Sequence, residues 1–332
     1  PYPEAPVELP PREKRRVAIV GAGPTGLTAA HFLARMGYSV SVFEALPVAG
    51  GMARVGIPAY RLPHEVLNRE IDEILDLGVE LNLNSPVRDI NKLFAQGFSS
   101  VFLAIGAHEP QRLRVPGEDE AEGVFHGVPF LRTVALGEEV HLGERVVVVG
   151  GGNTAIDSAR TARRLGSREV TIIYRRTRAE MPANEWEIDE ALEEGIRLEI
   201  LTQPVEVLSE NGNLTAIRCL RMRLGEPDAS GRRRPIPIEG SEFEIACDAM
   251  VAAIAQAPEI SFLDPDHGLE ITRWRTFKVD PQTLETNRAG VFAGGDAAAG
   301  PGALIEAIAA GRRAARSIDR YLREGPLLTP RE

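Results

Sequence analysis

The chain has few of the residues on which several classes of redox and metal proteins depend. Only two of its 332 residues are cysteines, Cys219 and Cys247, and they form no Cys-x-x-Cys pair. A local iron–sulfur cluster, a zinc site and a dithiol redox centre are therefore excluded, and a reducing, cytoplasmic setting is predicted. The six histidines show no His-x-x-His spacing, so no metal site is predicted.

Long apolar runs and excess positive charge are also lacking. No eighteen apolar residues run together, so we predict no membrane span, and no signal peptide precedes the first predicted strand. The formal net charge of -10 argues against non-specific binding to nucleic acid. A length of 332 residues with 43% hydrophobic content is enough for two globular domains.

The first glycine motif follows a short apolar run. Residues 17–20 predict a buried strand, and Gly21, Gly23 and Gly26 then form the pattern Gly-x-Gly-x-x-Gly. In a strand–turn–helix unit such glycines permit a tight turn, a close backbone approach to a pyrophosphate and close helix–strand packing. Residues 27–36 predict the helix, whose free N–H groups would bind the phosphates. A second strand, residues 39–43, ends in Glu44, whose carboxylate can accept both ribose hydroxyls of an adenosine.

The same pattern begins again 129 residues later, counted from Gly21 to Gly150. Residues 145–149 predict a strand, Gly150, Gly152 and Ala155 give Gly-x-Gly-x-x-Ala, and residues 156–165 predict a helix. We therefore predict an α/β fold with two Rossmann-like dinucleotide-binding domains, the second inserted into the first. The predicted boundaries are a Pro-rich tail at 1–15, a first domain at 16–110 plus 256–332, and an inserted domain at 111–255.

The two units differ at the end of their second strand. Glu44 of the first unit corresponds to Ile173 in the second, where the sequence continues with Arg175, Arg176 and Arg178. A guanidinium pairs with two phosphate oxygens at once, which suits an adenosine 2′-phosphate. Each charge-assisted hydrogen bond contributes about 1.5–3 kcal/mol, so two arginines would favour NADPH over NADH by roughly a hundredfold. The competing interpretation is a solvated basic run in an arginine-rich chain.

Further elements follow from the apolar spacing. Helices are predicted over 64–77, where Gly78 ends the helix, and over 181–194 and 301–321. A buried strand is predicted at 101–105, several strands at about 196–250, and one at 286–293.

The order of these motifs resembles that in the FAD- and NADPH-binding part of the glutamate synthase small subunit. Dihydropyrimidine dehydrogenase and the large subunit of ferredoxin:NADP transhydrogenase are relatives of that family. The resemblance covers residues 16 to about 318, and the motifs that carry it are 21–26 with Glu44, the turn 50–52, 150–157, 174–178 with 181–183, and 294–296.

The resemblance implies FAD in the first domain, NADPH (with NADH as the alternative) in the second, and hydride transfer from nicotinamide to flavin. Electrons would then leave singly to iron–sulfur clusters. Relatives carry a cysteine-rich domain upstream, so the clusters would lie on a partner chain or in a missing N-terminal part. The strand at 251–255 ends in Ala255, where relatives have a glycine like Gly106 of the first domain, and this methyl group would tighten the approach of the nicotinamide.

Two sets of residues are candidates for cofactor binding, one for FAD and one for NADPH. Asp296, in the FAD set, is expected to bind a ribityl hydroxyl. The helix at 301–321 would face the flavin and stabilise negative charge on it, and Glu306 would either contact the nicotinamide or lie on the helix surface. Because hydride transfer needs alignment more than an acid or base, no catalytic residue is predicted. The FAD set is Gly21, Ala22, Gly23, Pro24, Thr25, Gly26, Glu44, Ala45, Gly50, Gly51, Met52, Val87, Ala104, Gly106, Gly295, Asp296, Ala303 and Leu304. The NADPH set is Gly151, Gly152, Asn153, Thr154, Asp157, Arg175, Arg176 and Arg178.

The predicted function is that of an FAD-dependent NADPH oxidoreductase that passes electrons to an iron–sulfur partner. The alternative is an assembly subunit of a larger iron–sulfur complex, which would hold its nucleotides without turnover. A disulfide reductase of the same architecture would need a cysteine pair near the flavin, and the sequence offers none.

Overall fold

The computed structural model of the protein describes residues 15–227, 231–261, 263–264 and 267–325. The chain divides into two compact units, of which the first comprises Pro1–Glu109 with Ala257–Glu332 and the second Pro110–Gln256. The second unit is thus inserted into the sequence of the first. The boundaries predicted from the sequence differ from these by one residue at each crossing.

Both units contain helices and strands. The strands are β1 (Arg16–Val20), β2 (Ser39–Phe43), β3 (Glu80–Asn82), β4 (Phe98–Leu103), β5 (Glu109–Pro110), β6 (Val124–His126), β7 (Arg145–Val149), β8 (Glu169–Tyr174), β9 (Arg197–Ile200), β10 (Thr202–Glu210), β11 (Asn213–Pro227), β12 (Arg233–Pro237), β13 (Phe243–Ala246), β14 (Ala249–Ala252), β15 (Gln256–Ala257) and β16 (Val291–Ala293). The α-helices are α1 (Pro24–Arg35), α2 (Met52–Val55), α3 (His64–Asp76), α4 (Ile90–Ala95), α5 (Gly127–Ala135), α6 (Asn153–Arg164), α7 (Glu185–Glu193), α8 (Asp296–Ala299) and α9 (Leu304–Glu324).

The first unit is built on a five-stranded sheet in the order β16-β4-β1-β2-β3, with every pairing parallel. Its central strand β1 is apolar throughout residues 17–20 because both faces of the sheet are covered. Residues of α1 and α9, among them Leu33 and Ile318, cover one face, and Ile90 and Leu93 of α4 belong to the apolar cluster of the other. Parallel pairing brings the carboxyl ends of β1, β2 and β4 to one edge of the sheet.

The second unit repeats this plan and adds an antiparallel sheet. Its five parallel strands are ordered β6-β14-β7-β8-β9. Residues of α5, α6 and α7 pack in one apolar cluster with Val146 and Val148 of β7. On the other face Val147 and Val149 share a cluster with residues of β10 and β11. The prediction of an α/β fold with two Rossmann-like units is confirmed. Among the described residues, no helix is both long and apolar enough to span a bilayer.

Two predicted helices begin later than expected, and in one case the cause is a set of tertiary hydrogen bonds. The helix predicted from residue 181 begins at Glu185, because the Ala183 N–H donates to the Gly151 carbonyl and the Asn184 N–H to Asn153 Oδ1. The helix predicted from 301 begins at Leu304. The strand predicted at 251–255 is β14, which ends at Ala252.

Candidate dinucleotide-binding sites

The loop between β1 and α1 is compressed against neighbouring backbone. Gly21 has a φ of 105°, and a Cβ atom on it would lie 2.4 Å from the Ala104 carbonyl oxygen at the end of β4. A Cβ atom on Gly26 would lie 2.0 Å from the Gly21 carbonyl oxygen. Only glycine fits such approaches. Gly23 is the N-cap of α1 and provides no side-chain cap, so the first-turn N–H groups are available to an anion.

Glu44 ties the end of β2 to this glycine loop. Its side chain is buried, and its two carboxylate oxygens accept hydrogen bonds from the Ala22 N–H at 2.7 Å and the Leu46 N–H at 2.8 Å. Burial raises the pKa of Glu44, while hydrogen bonds from backbone N–H groups act in the opposite direction. A carboxylate can accept about four hydrogen bonds, so Glu44 can still accept the ribose hydroxyls expected there in addition to these two N–H groups.

Two further segments of the first unit lie against the same loop. The Gly50 N–H donates to the Ala22 carbonyl at 2.8 Å, and a Cβ atom on Gly51 would lie 2.6 Å from Gly23 Cα. From the C-terminal part of the chain, a Cβ atom on Gly295 would lie 2.2 Å from Thr25 Oγ1. Segments more than 240 residues apart in sequence therefore meet around the N-terminus of α1.

Asp296 follows Gly295 as the first residue of α8 and is partly buried. Its pKa is raised from 3.8 to about 6, chiefly by burial; the Glu306 carboxylate adds to the rise and the Gly302 N–H opposes it. Glu306 accepts a hydrogen bond from the Ala303 N–H at 2.8 Å, an N-terminal contact of α9. Asp296 is thus a carboxylate that an added hydroxyl donor would stabilise in its ionised form.

The remaining candidates of the first unit are less directly connected to the loop. Gly106 has a φ of 67°, and Val87 is half-buried against an apolar cluster that includes Val20. Ala303 and Leu304 are exposed at the start of α9. Two more candidates complete the set, Ala45 being exposed and Met52 being the first residue of α2.

The loop between β7 and α6 reproduces the first loop closely. Gly150 has a φ of 151°, and a Cβ atom on it would lie 2.2 Å from the Ala253 carbonyl oxygen, just beyond β14. Gly152 is the N-cap of α6 and, like Gly23, leaves the first-turn N–H groups without a side-chain cap. A Cβ atom on Gly151 would lie 2.6 Å from the Tyr174 ring. The second unit therefore also presents a free helix N-terminus at the carboxyl edge of its sheet.

Residues 181–184 line the second loop. The Ala183 N–H donates to the Gly151 carbonyl and the Asn184 N–H to Asn153 Oδ1, both at 3.1 Å. Thr154 lies next to the start of α5, since a Cβ atom on Gly127 would lie 2.8 Å from Thr154 Cγ2. Asp157, in the second turn of α6, is buried.

The three arginines after β8 occupy different environments. Arg175 is exposed and makes no hydrogen bond or ion pair within the described residues. Arg176 is only 4% exposed, and its Nε donates to the Arg233 carbonyl at 2.7 Å. Arg178 pairs with Asp189 of α7 at 2.5 Å. That Arg176 binds a phosphate directly stays a prediction, and its Nε is already used in a contact with the backbone.

Ala255 and the two cysteines bear on the alternatives. Ala255 corresponds to Gly106 of the first unit, which has a φ of 67°. The φ of Ala255 is not positive, so its methyl group causes no backbone strain. Cys219 and Cys247 lie buried in one apolar cluster of the second unit, and burial raises the pKa of each thiol to about 12. Within the described residues no group of three or more His, Cys, Asp or Glu residues could hold a metal ion.

Each unit thus has the parts that a dinucleotide requires, namely a glycine loop with no room for a Cβ atom and an uncapped helix N-terminus. The first unit adds a buried carboxylate at the end of its second strand, which suits the unmodified ribose of FAD. The second adds arginines at the equivalent place, which suit the extra phosphate of NADPH. The residues present fit both cofactors.

The whole arrangement matches a known family. The family model of pyridine nucleotide-disulphide oxidoreductases matches residues 15–311, and the chain belongs to this family. It is a flavin-dependent NAD(P)H oxidoreductase, with FAD and NADPH as its cofactors, so the family and both cofactors predicted from the sequence are confirmed.

Curated relatives are similar over nearly the whole chain. It is 51% identical over 315 residues to the beta subunit of an NADP(+)-dependent formate dehydrogenase from Moorella thermoacetica, covering 94% of this chain and 44% of that protein. It is 46% identical to the NADPH-Fe(3+) oxidoreductase subunit beta of Geobacter sulfurreducens, covering 96% of this chain and 52% of that protein. The glutamate synthase [NADPH] small chain of Escherichia coli is 35% identical, with 93% and 69% covered. The chain spans about half the length of the first two.

Solved structures share the fold. FprA of Mycobacterium tuberculosis in complex with NADPH has a TM-score of 0.77 at 18% identity, covering 96% of this chain and 88% of that one. The thioredoxin reductase of T. acidophilum has a TM-score of 0.68 at 23% identity, covering 92% and 98%.

Sequence reasoning missed three features of these sites. The approach of Gly295 to Thr25 and the contacts of residues 181–184 join segments distant in sequence, and no local pattern marks them. The buried Arg176 donates to the backbone of Arg233, which lies 57 residues further on. The sequence shows a run of three arginines at 232–234, but nothing in that run indicates a contact with Arg176.

Proposed function

We propose that this chain is the NADPH-oxidising flavin module of an electron-transfer complex, which takes a hydride from NADPH and passes electrons one at a time to an iron–sulfur partner. The observation that carries the proposal is the pair of glycine cradles, one beside the carboxylate of Glu44 and the other beside arginines that follow β8. FAD, when bound, supplies the conversion of a two-electron hydride into single electrons.

The residues of the chain would bind and orient the two cofactors. The uncapped N-termini of α1 and α6 would each hold a pyrophosphate, and Glu44 would hold the ribose of the FAD adenosine. Asp296 would hold a ribityl hydroxyl. Arg175 and Arg178 would distinguish NADPH from NADH by the 2′-phosphate, with Arg178 shared between the phosphate and Asp189. No proton donor is needed for the hydride step, which depends on alignment.

The acceptor is proposed from chemistry and from the relatives. A four-cysteine cluster cannot be held by a chain with two buried cysteines, so the cluster would lie outside these 332 residues. The relatives named as beta subunits act within larger assemblies, and one is named for reduction of Fe(3+), which accepts single electrons. Glutamate synthesis, formate oxidation and metal reduction are all compatible with this module, and its cytoplasmic setting stays a prediction.

An anaerobic titration tests the proposal. FAD-loaded protein is titrated first with NADPH and then with NADH while the flavin absorbance is followed. Bleaching by NADPH at lower concentration than by NADH is expected. If neither nucleotide bleaches the flavin, alone or with an added iron–sulfur acceptor, the chain is the structural subunit of the alternative hypothesis.

A further inference from the structure

One hydrogen bond brings two separate arginine runs together in the second unit. Arg176 follows β8, Arg233 begins β12, and Arg176 Nε donates to the Arg233 carbonyl oxygen at 2.7 Å. The donor residue of this contact is buried, since Arg176 is only 4% exposed. An N–H of a charged group that donates to a carbonyl is one of the stronger hydrogen bonds in a protein. The hairpin that carries β12 is therefore fastened to the carboxyl end of β8.

Each partner in this contact has a neighbour in sequence that is a free arginine. Arg175 precedes Arg176, and Arg234 follows Arg233; both are exposed, and neither makes a hydrogen bond or ion pair within the described residues. Consecutive Cα atoms are about 3.8 Å apart. Arg175 is therefore the chain neighbour of the donor residue, and Arg234 is the chain neighbour of the acceptor residue. One hydrogen bond links the two segments that carry them.

Several other arginines of the second unit are held by partners. Arg145, Arg160, Arg164 and Arg218 all pair with carboxylates. Arg233 itself folds back, and its guanidinium donates to the carbonyls of Leu224 and Gly225. Two unpaired positive charges at the carboxyl end of a Rossmann strand, beside the position where the adenosine ribose is bound, attract an anion there.

We propose that Arg234, held beside the end of β8 by the bond between Arg176 and the Arg233 carbonyl, binds the 2′-phosphate of NADPH together with Arg175. Arg176 is on this view a positioning residue that fixes the hairpin and does not touch the phosphate. This inference rests on the proposed function, because it names which residues select NADPH.

Adenosine 2′,5′-bisphosphate and adenosine 5′-monophosphate are the probes that test it. Both are titrated calorimetrically into the full FAD-loaded chain, so that the first unit is occupied, and they differ only in the 2′-phosphate. Arg234→Ala is expected to weaken binding of the bisphosphate roughly tenfold, which is the lower end for a hydrogen bond to a charged group. Binding of the monophosphate is expected to stay unchanged.

Arg168→Ala is the matched control. Arg168 is an exposed arginine that immediately precedes β8, at the opposite edge of the sheet, where it lies 3.5 Å from Glu144. It is expected to leave both affinities unchanged. If Arg234→Ala also leaves the bisphosphate affinity unchanged, or weakens both ligands equally, Arg234 does not bind the 2′-phosphate.

The positioning role of Arg176 is tested by a double-mutant cycle. Arg176→Ala should reduce the preference for the bisphosphate, and adding Arg234→Ala should change it little further, because the hairpin is already released. Arg176→Lys keeps one donor for the Arg233 carbonyl and should restore part of the preference. Independent, multiplying effects would refute the positioning role. Because Arg175 and Arg234 are exposed, their variants remain informative even if Arg176→Ala does not fold.

The unmodified chain separates this inference from the proposed function. If it binds the two probes equally, NADPH selectivity itself fails. If it prefers the bisphosphate but Arg234→Ala retains that preference, only the present inference fails.

Discussion

Replacing Asp296 by Asn should change how the stability of the flavin-free chain depends on pH. Asn keeps an acceptor for the Gly302 N–H but cannot ionise. Burial raises the pKa of Asp296 from 3.8 to about 6, and a difference of this size corresponds to about 3 kcal/mol. Because the folded-state pKa is the higher one, the contribution of Asp296 to stability is fully present below pH 3.8 and is lost as the pH rises through 6.

Urea denaturation at several pH values between 4 and 8 measures this effect. The unfolding free energy of Asp296→Asn minus that of the wild type should increase by about 3 kcal/mol from the acid to the neutral end. Saturation with FAD should reduce the increase, because a ribityl hydroxyl that donates to Asp296 favours the ionised carboxylate. A difference that stays constant over the whole range would refute the assignment of a raised pKa to this side chain.

Asp280 provides a control of opposite sign in the same unit. Its pKa is lowered by the N–H of Thr283 and by other local hydrogen bonds. Its contribution to stability is present above pH 3.8 and is lost as the pH falls further. Asp280→Asn should therefore leave the slope between pH 5 and 8 unchanged.

Two more predictions concern packing. Gly21→Ala would place a methyl group 2.4 Å from the Ala104 carbonyl oxygen, and we expect the FAD content after purification to fall sharply. Gly97 is the control, because it has a similar φ but open space around it. Gly97→Ala should therefore lose only about 1–2 kcal/mol of stability and retain FAD. Arg160→Ala would remove a buried guanidinium that bonds Glu194 at 2.8 Å. We expect this change to lower the unfolding free energy, measured by denaturation, by about 3 kcal/mol. A loss below 1 kcal/mol would show that the pair is no more than a surface interaction.

The sequence predicted those parts of the fold that depend on short-range pattern. The two βα units follow from apolar strands and glycine spacing, and Arg145–Val149 is reproduced to the residue. The start of α7 at Glu185 could not be predicted, because the preceding residues form hydrogen bonds to a loop some 30 residues away. Likewise the strand-end pattern predicts Arg176 as a phosphate ligand, but it gives no indication that Arg176 is buried or that its Nε donates to the Arg233 carbonyl.

The close approaches at Gly21 and Gly150 are contacts between main-chain atoms, whereas Arg175 and Arg234 are exposed side chains that support nothing else in the described structure. Mutations at the two glycines would damage the scaffold, but changes at the two arginines would leave it intact. If these two arginines bind the 2′-phosphate as proposed, coenzyme choice can drift or be engineered at a few surface positions without rebuilding the module. On that assignment, very few substitutions would couple such a chain to the NADH or the NADPH pool of a cell.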